Sequence, residues 1–127
     1  MPDTILVVDD DEAVRVMLTR LLESAGYAAE SASKAAEAHV LLQQQQFALL
    51  IVDVVMPGES GVDLAAVVRR DHPPVPIILI SGYATEEPRS FAESEDGILF
   101  VAKPFGADQF LGLVESMVQA SDATGSL

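Results

Sequence analysis

At four places in this chain of 127 residues, chemically active side chains directly follow an apolar run. Asp9 and Asp10 follow Thr4-Ile5-Leu6-Val7-Val8, and Asp53 follows Leu49-Leu50-Ile51-Val52. Ser81 follows Val75-Pro76-Ile77-Ile78-Leu79-Ile80, and Lys103 follows Ile98-Leu99-Phe100-Val101-Ala102. Three carboxylates and a main-chain carbonyl make an all-oxygen set suited to a hard divalent cation; the expected carbonyl is that of Val55, two residues past Asp53. So few protein ligands favour Mg²⁺ retaining waters, with Mn²⁺ able to substitute. Asp10 and Asp53 are the expected direct ligands, and Asp9 acts through water. A carboxylate beside such an ion can attack a phosphoryl group in line and form an acyl phosphate, while the ion and a lysine neutralise the equatorial oxygens. Lys103 is the expected ammonium, and Ser81 Oγ the neutral donor to a phosphoryl oxygen.

Taken alone, Asp53 reads equally well as a solvated residue opening the Pro57-Gly58 turn. The matching residues at the other run ends decide for function, and that argument requires the runs to be strands whose carboxyl ends lie together. Residues 4–8, 49–52, 75–80 and 98–102 are continuous apolar stretches of the kind buried on both faces of a parallel sheet, and 27–31 is a weaker, alanine-rich fifth strand. Between them lie predicted helices. One carries Val14, Met17, Leu18, Leu21 and Leu22 at amphipathic spacing, capped by Asp10 or Asp11 and stopped at Gly26. Others span 34–46, 60–71 and 85–95, and a last one carries Phe110, Leu111, Val114, Met117 and Val118. His39 falls on the packed or edge face of the second. Five strands alternating with five helices predict a flavodoxin-like doubly wound α/β sheet of order 2-1-3-4-5, which sets strands 1, 3, 4 and 5 side by side. Asp9, Asp10, Asp53, Ser81 and Lys103 then share one crevice.

Composition narrows the partners. Seven Lys+Arg against 20 Asp+Glu give a formal charge of −13, which repels nucleic-acid backbones and anionic lipid, so neither direct DNA binding nor a membrane is expected. Cysteine is absent, which removes disulfides and thiolate metal sites. No run approaches the roughly 20 apolar residues of a membrane span, and the start lacks signal-peptide features, so a cytoplasmic protein is expected. Clustered carboxylates also suppress one another's ionisation unless a cation sits between them, a second pointer to a metal.

Over roughly residues 4–119 the chain resembles a response-regulator receiver domain of two-component signalling. The matching motifs are Val7-Val8-Asp9-Asp10, Asp53 with Met56-Pro57-Gly58 and Gly61, Ile80-Ser81-Gly82, and Lys103-Pro104-Phe105. Each is weak alone, and the four in order at strand ends are specific. The resemblance implies that Asp53 is the phosphoacceptor, Asp9 and Asp10 the acidic Mg²⁺ pocket, Ser81 the switch hydroxyl and Lys103 the family's conserved-type lysine, with a cis Lys103-Pro104 bond. It implies a phosphohistidine donor on a histidine kinase or histidine phosphotransfer protein. Phe100 would swing with Ser81 and change the face made by the 85–95 helix, the 98–102 strand and the last helix, through which a homodimer could form. Family members often carry Tyr where Phe100 stands, and loss of that hydroxyl favours the inward ring. Val55 and Tyr83 flank the route of a hydrolytic water. A signalling receiver is expected rather than a turnover enzyme, promoting only its own phosphorylation and dephosphorylation.

The wording around Asp53 and Ser81 is similar to receivers fused to hybrid sensor kinases. Residues 1–120 are the expected receiver and 121–127 a disordered tail with no output domain after it, so a stand-alone regulator or an excised module is expected. Arg15 and Thr19 are outward candidates for kinase docking. The alternatives are a Mg²⁺-dependent phosphatase with an aspartyl nucleophile, disfavoured because Val55 cannot act as the acid two residues on, a flavin binder, disfavoured by the acidic first loop, and a pseudo-receiver that only binds partners.

Overall fold

The computed structural model describes residues 4–56, 58–82, 92 and 97–125. Thr4–Val8 (β1) leads into Glu12–Ser24 (α1), Ala28–Ala32 (β2), Ala35–Gln44 (α2), Leu49–Asp53 (β3) and Gly61–Asp71 (α3). Ile77–Ser81 (β4), Ile98–Ala102 (β5) and Ala107–Gly125 (α4) complete the described elements. The strands form one parallel sheet in the order β2-β1-β3-β4-β5.

Alternation along the strands splits the core into two layers. Leu6, Val8, Leu50, Val52, Ile77 and Leu79 face one side and pack with Ala38 and Leu42 of α2 and Leu64, Ala65 and Val68 of α3. Ile5, Val7, Leu49, Ile51, Ile78 and Ile80 face the other, against Leu18 and Leu22 of α1 and Phe110 and Val114 of α4. Both faces are thus covered, as the unbroken apolar runs demand. Among the described residues, no helix is long and apolar enough to cross a membrane.

Local chemistry sets the helix starts near the site. Asp11 caps α1, its side chain accepting from the N–H groups of Ala13 and Val14, and Ser60 caps α3 by accepting from the N–H of Asp63. Strand β4 begins at Ile77 rather than residue 75. Pro76 lacks a ladder donor, and only its carbonyl pairs, with the N–H of Leu50. Helix α4 runs on to Gly125 through Ser121-Asp122-Ala123-Thr124, which contains neither proline nor glycine. The expected helix at 85–95 falls outside the described residues except for Ala92, which is helical and buried in the α2/α3 layer, so the described helices number four rather than five.

The tightest joint lies where α3 meets β3. Gly61 donates its N–H to the Val54 carbonyl at 2.9 Å, and a Cβ on Gly61 would stand 2.1 Å from the Asp53 carbonyl oxygen. Only hydrogen fits there. We expect Gly61→Ala to force the start of α3 away from β3 and cost about 2–4 kcal/mol, at or above the usual penalty for overpacking. Urea unfolding measures it, and a loss under about 0.5 kcal/mol would mean that the joint is soft.

Candidate functional site

Register carries the chemistry to one edge. Val8 pairs with Val52, Asp53 with Ile80, and Ser81 with Ala102, so the residues ending or following β1, β3, β4 and β5 emerge together. The carboxylates of Asp9, Asp10 and Asp53 each offer an oxygen, and those oxygens lie within 4.8 Å of one another. Lys103 Nζ stands 3.5 Å from Asp53 Oδ2 and 3.9 Å from Asp9 Oδ2. Three carboxylates against one ammonium leave two uncompensated negative charges, the charge of one divalent cation. An all-oxygen set of this kind suits a hard ion that keeps some of its water.

Each group is held differently. Asp9 is buried; its N–H donates to the Ala32 carbonyl at 3.1 Å and its Oδ1 accepts from the Asp11 N–H at 2.9 Å. Burial pushes the Asp9 carboxyl above the usual range, opposed by the Asp11 amide and then reinforced by the Asp53 charge. Asp10 is exposed. Asp53 ends β3 with little of its side chain exposed, and its Oδ1 accepts from the Val55 N–H at 3.0 Å. Lys103 is anchored at both sides. Its N–H donates to the Ser81 carbonyl at 2.8 Å, its bond to Pro104 is cis, and Phe105 stacks on the buried Phe110 ring with centroids 5.4 Å apart. Ser81 is buried at the same sheet end. Phe100 is half-buried against the α2/α3 layer, and Val55 exposes more than half of its surface.

Arg15 differs from its expected outward role. The side chain is half-buried, and Nη1 donates to the Asp9 carbonyl at 2.8 Å. Helical side chains lean toward the N-terminus, so a long cation one turn into α1 reaches back over the acidic loop; that geometric signal was present in the spacing Asp9 to Arg15. Thr19 is half-buried too, its hydroxyl donating to the Arg15 and Val16 carbonyls at 2.9 and 3.0 Å.

Comparison with known proteins places these features in context. The family model described as the response regulator receiver domain matches residues 5–115. The response regulator receiver protein CpdR of Brucella abortus (strain 2308) is 31% identical over 117 residues, covering 92% of this chain and 98% of CpdR. The sensor kinase CckA of the same organism is 31% identical over 121 residues, or 94% of this chain, yet the chain spans only 13% of CckA. Among solved structures, the response regulator TrrA of Thermotoga maritima in complex with Mg(2+)-BeF is 30% identical, covers 92% of this chain and 99% of its own, and superposes with a TM-score of 0.81.

The Asp9 environment has a measurable consequence. A carboxyl whose folded pKa is raised binds its proton more readily when folded, so its contribution to stability is full below the unfolded pKa and is lost as pH rises through the folded one. We expect Asp9→Asn, in the presence of a chelator, to melt several degrees above the unsubstituted protein at pH 7. That gain should shrink as pH falls toward about 4, the ordinary aspartate range. Thermal unfolding by circular dichroism across this range reads it, and equal melting temperatures at pH 7 would contradict the burial argument.

Proposed function

The chain belongs to the response regulator receiver domain family, and from that premise we propose that it takes a phosphoryl group from a phosphohistidine onto Asp53. The observation that carries this reading is the convergence of Asp9, Asp10 and the Lys103 ammonium, from the ends of β1 and β5, on the Asp53 carboxylate at the end of β3. An Asp53 oxygen forms the new P–O bond as the P–N bond of the donor breaks, and the imidazole leaves with its nitrogen lone pair. Lys103 is already within reach of Asp53 Oδ2 and follows the charge onto a phosphoryl oxygen, where Ser81 Oγ is the neutral donor.

The donor set fits Mg²⁺, with Mn²⁺ as a substitute: Asp10 and Asp53 would hold it directly, Asp9 through water, and Val55 through its main-chain carbonyl. Bound there, the ion neutralises charge on the phosphoryl oxygens. The Mg(2+)-BeF complex of TrrA supports the assignment. We assign the switch to Ser81 and Phe100, read out on the surface of residues 85–95, β5 and α4, where a homodimer could form. The partners are a histidine kinase or histidine phosphotransfer protein in the cytoplasm, and the strong net negative charge disfavours direct DNA contact. No turnover of external substrates is proposed, only self-phosphorylation and dephosphorylation.

Incubation with acetyl phosphate and Mg²⁺, followed by intact mass or phosphorus NMR, tests the reading. The unsubstituted chain should gain one phosphoryl group, Asp53→Asn none, and Lys103→Ala should slow uptake by about 100-fold, the scale of losing one charge-stabilising donor. Val55→Asn should shorten the phosphoryl lifetime by placing a polar group beside the hydrolytic water. Undiminished labelling of Asp53→Asn would refute the assignment, and burst kinetics on a phosphomonoester would favour the phosphatase instead.

A further inference from the structure

The loop from Val54 to Ser60 connects Asp53 to α3 and carries the Val55 carbonyl. Main-chain bonds close its base: the Val54 N–H donates to the Ile80 carbonyl and the Gly61 N–H to the Val54 carbonyl, each at 2.9 Å. Met56 is buried on one limb. The other limb turns at Gly58, whose φ of +78° is natural to glycine alone, and then reaches Glu59. Glu59 meets an element remote in sequence. Its two carboxylate oxygens lie 3.2 and 3.3 Å from Nε2 of His39 on α2, twenty residues away. A carboxylate only accepts, so Nε2 carries the hydrogen and donates to both oxygens. Each side chain is about one-third exposed, so the pair adds little to global stability. Its leverage is local: it ties Glu59 in the loop to a helix that is itself fixed in the core by Ala35, Ala38 and Leu42.

We propose that His39 and Glu59 are positioning residues that hold this loop, and with it the Val55 carbonyl, in the form that binds a divalent cation. The inference rests on the metal site of the proposed function and adds residues outside the acidic cluster to it. Outer partners that orient metal ligands directly are worth about 10–100-fold in affinity; acting through a loop, this pair is expected to be worth about 3–10-fold.

A double-mutant cycle on the full chain tests it. Mg²⁺ affinity is measured by titration calorimetry for the unsubstituted protein, His39→Ala, Glu59→Ala and the double variant, with His39→Gln as the substitution that keeps an N–H donor. Each single alanine should weaken binding to a similar degree, the double no further, and His39→Gln should recover most of the loss. In metal-free protein, amide hydrogen exchange across 54–60 should quicken in the alanine variants while melting temperatures stay close. Additive losses, or unchanged affinity with unchanged exchange, would overturn the proposal. Absence of Mg²⁺ binding by the unsubstituted chain would instead sink the metal assignment, and the exchange rates would still decide whether the pair restrains the loop.

Discussion

Repulsion among carboxylates is the constraint on which this molecule is arranged. Near a protein surface two such charges about 4 Å apart repel by roughly 4 kcal/mol, and Asp9, Asp10 and Asp53 crowd at comparable separations. Nothing in the acids themselves favours that arrangement. It persists because each is attached to a rigid strand end, and because backbone donors and a cation meet them there: the Asp11 amide at Asp9, the Val55 amide and the Lys103 ammonium at Asp53. Arg15 adds a guanidinium behind the loop, on the Asp9 carbonyl rather than on a carboxylate, so it restrains the backbone without occupying a carboxylate oxygen.

The rigidity comes from the two apolar layers. β1 is buried from Ile5 through Val8, and β3 from Leu49 through Val52, with relative exposures near zero. Register in such strands cannot slip by one residue, because a slip would exchange the Leu6-Val8 layer for the Ile5-Val7 layer and misplace both helix pairs. Burial therefore does for the acids what their electrostatics oppose, fixing where β1 and β3 end relative to one another. Gly61 extends this control past the strand, since the start of α3 sits against the Asp53 carbonyl with no room for a side chain.

Much of this was legible from residue types. Strands β1, β3 and β5 and the sheet order followed from apolar runs and from the alternation of elements, because period and length are strong signals for fully buried strands. The same reading puts Asp9, Asp53, Ser81 and Lys103 at strand ends, since a charged or hydroxylic residue ends an apolar run wherever it occurs. What escaped was reach. Spacing describes where the Arg15 side chain starts, and so points it outward, whereas a long flexible cation ends a turn away. Helical spacing places His39 at the packed or edge face of its helix, but its partner lies on a loop that only the tertiary fold brings near. The end of the last helix is not legible from composition either, because a helix already nucleated and packed through Phe110 and Val114 continues until a residue stops it.

The Lys103 geometry bears on how the proposed phosphorylation could change shape elsewhere. Lys103 is bonded through its backbone to Ser81 at the end of β4, and its side chain reaches Asp53 at the end of β3. A dianionic phosphoryl group on Asp53 competes for that ammonium, and the Ser81 hydroxyl is drawn toward the same charge. Strand β4 separates β3 from β5, so a shift at Ser81 bears directly on the neighbour that carries Phe100. Phe100 is only half-buried and has no hydroxyl to reward an outward position. A switch built on such a ring requires an energy gap small enough for the few kilocalories of one charge-assisted contact to invert it.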